Sequence, residues 1–189
     1  MFTKPANAVV GPYDDVPVHP CAQGELDYEA ELCVIIGKDA KDVSEENALD
    51  YVHGYTAGND ISARKYQLPE WSGNQYCFAK SFDGFAPVGP YIATAEAIPD
   101  PQVLDFRLKL NNSVRQQSST SDMIFSVRKI IAHVTQGTTL KKGTIIMTGT
   151  PAGVAYFMTP KGSGFIKHGD TVEISFDEIG SMRNKFVFL

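Results

Sequence analysis

The sequence predicts a mainly β, α+β fold of many short strands and two short helices, with residues 1–189 forming a single domain. Three observations predict it. Glycine (16) and proline (11) are spread along the chain and divide it into short segments. Apolar runs such as 25–36 and 144–148 read as strands. Regular β-α-β alternation and a G-x-G-x-x-G motif are both missing, which disfavours a dinucleotide-binding fold.

Taken in order, residues 25–36 (ELDYEAELCVII) alternate at first and then turn wholly apolar, the pattern of a strand whose far end is buried on both faces. Ser44 is placed to cap a short helix through about His53, with Ala48, Leu49 and Val52 on one face. Segment 104–110 leads through Asn111-Asn112, a good two-residue turn, into 113–117. Ser126 can cap a second helix, with Val127, Ile130, Ile131 and Val134 at helical spacing and Gly137 ending it. Residues 144–148 (TIIMT) read as a buried strand. Residues 171–176 and 181–188 flank a turn around Gly180 and form a closing hairpin.

Composition narrows the function. A net charge of −5 favours neither nucleic acid nor an anionic membrane as partner. No run of about 18 apolar residues predicts a membrane span. Cys21, Cys33 and Cys77 are odd in number and form no C-x-x-C pair, so neither a disulfide framework nor a structural zinc site is expected. Cys33 reads as a small core hydrophobe. His19, His53, His133 and His168 match no zinc spacing, and the ends of the two expected helices account for His53 and His133.

The chemistry concentrates in a few carboxylates. Glu29 and Glu31 are two apart on the first expected strand and so share a face. Like charges this close repel, and burying them is costly without a cation. Oxygen ligands suit a hard ion, Mg2+, Mn2+ or Ca2+. A solvated strand face is the commoner meaning of E-x-E, but this pair lies where the strand becomes apolar. Asp60, in GYTAGNDISAR, can supply a third carboxylate. Lys80, among aromatics and prolines in CFAKSFDGFAPVGP, reads either as a snorkelling surface lysine or as a fixed cation facing a carboxylate or enolate, with Asp83 placed to orient it. In TGTPAGV (148–154), small residues allow close backbone approach, and Thr150 offers a hydroxyl and an N–H.

Together, ELDYEAELCVIIG (25–37), GYTAGNDISAR (54–64), AKSFDGFAPVGP (79–90), TSDMIFSV (120–127) and TGTPAGV (148–154) resemble the catalytic C-terminal domain of the fumarylacetoacetate hydrolase family, in the family's order. The resemblance implies a mixed sheet rolled into a barrel-like core, usually dimeric, with Mg2+ or Mn2+ at Glu29, Glu31 and Asp60. It places Lys80 and Thr150 at positions that contact the substrate's oxo and carboxylate oxygens, and Gln67 at a further substrate contact. Arg64 and Asp83 fall in matched blocks. The implied substrates are small 2-oxo or β-diketo acids. TSDMIFSV is similar to the short acylpyruvase-like and oxaloacetate-handling members.

The family's usual N-Y-x-x-H-A-like segment, whose histidine activates water, would precede the F-x-K-P block. This chain begins at Phe2-Thr3-Lys4-Pro5, and none of its histidines matches. Because hydrolysis needs a general base, oxaloacetate decarboxylation is the first expectation. Acylpyruvate hydrolysis is its close rival, tautomerisation or isomerisation of the same acids an alternative, and a non-catalytic binding subunit a third. A homodimer in the cytoplasm or mitochondria is expected.

Overall fold

The computed structural model describes residues 1–189. The strands in chain order are β1 (Val9–Val10), β2 (Val16–Val18), β3 (Leu26–Asp27), β4 (Ala30–Ile36), β5 (Val52–Asn59), β6 (Ser62–Ala63), β7 (Ala86–Thr94), β8 (Asp105–Leu110), β9 (Ser113–Ser119), β10 (Ile145–Met147), β11 (Thr171–Phe176) and β12 (Gly180–Phe188). Two α-helices, α1 (Pro69–Ser72) and α2 (Val127–Val134), and several 3-10 turns connect them.

The strands form two five-stranded mixed sheets, ordered β1-β7-β5-β4-β10 and β2-β12-β11-β8-β9, and a two-stranded β3-β6 ribbon. One continuous apolar core runs between the sheets, from Leu32, Val34 and Tyr55 on one side to Leu108, Ile174 and Phe186 on the other.

The β8–β9 hairpin turns where expected. Asn111 (φ 49°) and Asn112 (φ 68°) are both left-handed, as a tight hairpin turn requires. β11 and β12 pair from Phe176–Gly180 to Thr171–Lys185. Helix α2 begins at the Ser126 cap, whose Oγ accepts the Lys129 N–H at 3.2 Å.

Four expectations are corrected. The helix from Ser44 to His53 is a four-residue 3-10 turn, Ala48–Tyr51, and the chain then enters strand β5. His53 is therefore an exposed strand residue. Pairing of Val52–Asn59 with β4 and β7 overrides the weak helical pattern before it. Residues 25–36 are two strands, broken at Tyr28–Glu29, so Glu29 lies just outside β4. β10 is a half-buried edge strand rather than a fully buried one. β7, between β1 and β5 in the first sheet, had no alternating pattern to announce it.

Glycine admits one critical approach. A Cβ on Gly58 would lie 2.3 Å from Cys33 Sγ and 2.9 Å from Met147 Cε, so β5 packs this closely on β4 only without a side chain there. Gly58 pairs with Glu31, which puts this thin point of the sheet beside the carboxylates.

Candidate metal centre

Glu31 projects from the middle of β4, Glu29 immediately precedes that strand, and Asp60 immediately follows β5. Backbone pairing locks the three together. Asp60 N–H donates to the Glu29 carbonyl at 2.9 Å, and Glu29 N–H donates to Asn59 Oδ1 at 3.0 Å. One carboxylate oxygen of each residue lies within 4.8 Å of the others. The residues are 8%, 3% and 2% exposed, too little for water to screen three like charges.

Cations surround them. Lys80, 2% exposed, donates from Nζ to Glu29 Oε2 at 2.8 Å and Asp60 Oδ2 at 2.6 Å. Burial pulls the Lys80 ammonium down, but Glu29 and Asp60 outweigh it and hold the pKa above the ordinary lysine value. The Lys80 side chain turns inward rather than snorkelling to water. Asp83 does not orient it. Asp83 is exposed and accepts from Asn7 Nδ2, while Glu29 and Asp60 hold the lysine.

Lys4 reaches the other Asp60 oxygen, Oδ1, at 2.5 Å; burial lowers its pKa despite Asp60. Arg64 bridges two carboxylates, from Nε to Asp27 Oδ2 at 2.9 Å and from Nη1 to Glu29 Oε1 at 2.7 Å. Its Nη1 also donates to Gln67 Oε1 at 3.0 Å. Arg64 Nη2 is buried without a partner.

Glu31 differs from its neighbours. Burial, then the charges of Asp60 and Glu29, push its carboxyl well above the ordinary value of 4.5; the Gly149 N–H at 2.7 Å and Lys80 oppose this only in part. A carboxyl so placed ionises readily only when a further cation joins the site. The all-oxygen donor set and convergent geometry therefore fit a hard divalent ion.

The structure brings Glu29, Glu31, Asp60 and Lys80 to one point and seats Gln67 one step out, on Arg64. Thr150 lies beside Gly149, but its hydroxyl donates to the Ala30 carbonyl at 3.0 Å and accepts from Gln116 Nε2 at 2.8 Å. It braces β4.

Sequence reasoning missed three residues. Lys4 stands in the F-x-K-P block, a signal that marked it. Asp27 stands in ELDYE and is fully buried, accepting from the N–H groups of Tyr28, Ala155 and Tyr156 as well as from Arg64. Gln116 joins Ala30, Thr150 and Pro151, and nothing in its local sequence marks it.

Fold and cluster define a β-rich protein with a buried cluster of three carboxylates that could hold a metal ion, flanked by lysine and arginine. The comparison with known families agrees: the model of the fumarylacetoacetate (FAA) hydrolase C-terminal domain matches residues 1–187, and the chain belongs to this family. The chain is 40% identical over 187 residues to oxaloacetate tautomerase FAHD2A, mitochondrial, of Homo sapiens, covering 99% of this chain and 58% of that one. Among solved structures it resembles a fumarylacetoacetate hydrolase of Exiguobacterium antarcticum (TM-score 0.90, 38% identity, 97% of this chain and 64% of that one). It also resembles a 5-carboxymethyl-2-hydroxymuconate delta-isomerase of Mycobacterium smegmatis (TM-score 0.87, 36% identity, 98% and 68%). The chain spans between 57% and 68% of the length of the first curated relatives it matches. No helix is long and apolar enough to cross a membrane.

Proposed function

We propose that the chain is the catalytic part of a divalent-metal-dependent enzyme that interconverts the keto and enol forms of a small 2-oxo diacid, with oxaloacetate as the leading substrate. The convergence of Glu29, Glu31 and Asp60 within 4.8 Å, with Lys80 on two of them, carries the reading. The relatives' names support it: they include oxaloacetate tautomerases and an isomerase, which moves the proposal from the decarboxylation first expected to tautomerisation.

In this reading Glu29, Glu31 and Asp60 hold Mg2+ or Mn2+, which when bound supplies Lewis-acid polarisation of the 2-oxo and carboxylate oxygens. Lys80 holds a positive charge beside the oxygen that becomes negative on enolisation. Gln67 and Arg64 orient a carboxylate, and Thr150 fixes the loop against β4. Keto–enol exchange moves a proton at C3. Lys4 and Lys80, the two amines facing the cluster, are the chain's candidates for carrying it. A homodimer completes the reading, and sedimentation showing a monomer at micromolar concentration would refute that part. The relatives' names point to mitochondria.

The test follows oxaloacetate enol by ultraviolet absorbance and pyruvate by a coupled assay, with Mg2+ or Mn2+ and with chelator. Metal-dependent loss of enol without pyruvate is expected. Pyruvate formation above the metal-only background would instead establish decarboxylation. Rates equal in wild type and Glu31→Gln would overturn both.

A further inference from the structure

Away from the carboxylates, the 3-10 turn Pro20–Ala22 brings a nucleophile and a base together. His19 precedes the turn, and its Nδ1 accepts the Cys21 N–H at 3.3 Å. In that bond Nδ1 serves as the acceptor. The same nitrogen lies 3.1 Å from Cys21 Sγ, in place to take the thiol proton.

The other two cysteines serve as internal controls. Cys33 is buried, and burial, then Glu31 and Asp60, push its thiol well up. Cys77 is exposed like Cys21, but its sulfur meets the Thr3 hydroxyl at 3.9 Å rather than an imidazole.

Cys21 also borders a cavity of about 450 Å³, a size that takes a small organic molecule. Ala22, Leu68 and Trp71 give it apolar walls, and Glu25 and Lys65 give it charge. Glu25 Oε2 is buried without a hydrogen-bond partner, and such an oxygen calls for a donor. Lys65 Nζ lies 4.1 Å from the Trp71 ring centre. One carboxylate and one ammonium on the same cavity match the ammonium and carboxylate of an amino-acid end group.

We propose that Cys21 is a thiol-exchange site for a low-molecular-weight disulfide that carries an amino-acid end, the glutathione-disulfide class. Cys21 sulfur attacks one sulfur of that disulfide while its proton passes to His19 Nδ1. A Cys21–sulfur bond forms, the disulfide's own S–S bond breaks, and one thiolate leaves; the disulfide is the only oxidant. The adduct fills the cavity against the turn Arg64–Gln67, since Lys65 lies in that turn. The exchange is independent of the metal reading.

Peptide mapping by mass spectrometry after incubation of the full chain with glutathione disulfide at neutral pH tests it. The adduct is expected on Cys21 at least about tenfold faster than on Cys77. His19→Gln is expected to slow Cys21 about tenfold toward both glutathione disulfide and iodoacetamide. The double variant Glu25→Gln, Lys65→Gln is expected to slow glutathione disulfide alone, because iodoacetamide has no amino-acid end. Equal rates at Cys21 and Cys77, or an unchanged rate in a His19→Gln protein with wild-type circular dichroism, would overturn the dyad. An unchanged glutathione-disulfide rate in the double variant would overturn the ligand class.

Discussion

In the sheet β2-β12-β11-β8-β9, buried and solvent-facing residues alternate. Phe106, Leu108 and Leu110 of β8 are buried, while Asp105 and Arg107, which alternate with them, are exposed. In the sheet β1-β7-β5-β4-β10, all seven residues of β4 are buried, Glu31 included. The first arrangement spends its inward face on apolar contacts, such as the Phe106–Phe176 stack at 4.5 Å. The second encloses charge, and does so because Lys4, Arg64 and Lys80 sit on Asp27, Glu29 and Asp60. Buried ion pairs are weak evidence of stability. Both sheets share the apolar core, but the buried charge gathers at one of them.

That contrast can be broken from either side. Phe106→Ala should cost about 3–5 kcal/mol of stability by removing a core aromatic. Chemical denaturation measures the loss, while Mn2+ affinity of the folded protein stays unchanged. Glu31→Gln should do the reverse. Calorimetry should find Mn2+ affinity lowered by about 100-fold or more, since even groups that only support a ligand cost 10–100-fold. The metal-free protein should melt no earlier than wild type, because the change removes no charge that folding relies on.

The pH dependence sharpens the contrast. Glu31 keeps its proton to a higher pH in the folded, metal-free protein than in the unfolded chain. Its contribution to stability is thus full below 4.5 and is lost as pH rises through the raised folded value. Melting in chelator should fall over that window, and Mn2+ affinity should rise, because the ion binds the deprotonated carboxylate. A flat melting profile in chelator would contradict the assignment. The smallest effect belongs to the outer face of the alternating sheet. Lys109 and Glu173 pair at 3.1 Å across β8 and β11, largely within reach of water. Glu173→Gln should change stability by about 1 kcal/mol or less, with no change in metal affinity.

Legibility followed the same contrast. The turn signals at Asn111-Asn112 and around Gly180 made β8, β11 and β12 legible, because a tight turn fixes the two strands it joins. β5 and β7 gave no such signal: β5 is buried along nearly its whole length, and its glycines serve close packing. The helix expected from Ser44 failed because strand pairing of Val52–Asn59 outweighed a short local pattern. At the site, Glu29, Glu31, Asp60 and Lys80 were readable from charge in apolar surroundings and from matched blocks. Asp83 was placed wrongly because proximity in sequence says nothing of which way a turn faces.

The β-rich class, the family resemblance and the residues that carry charge into the interior are legible in the sequence, since composition, periodicity and motif order are local properties. Which charges meet is set by the folded chain. Asp27, Lys4 and Gln116 join the site from segments far apart in the chain, and the turn Pro20–Ala22 sets Cys21 on His19. The physical reason is one of range. Ion pairs and hydrogen bonds act over a few ångströms of space, whatever the separation along the chain, so their partners become definite only when the sheets close around them.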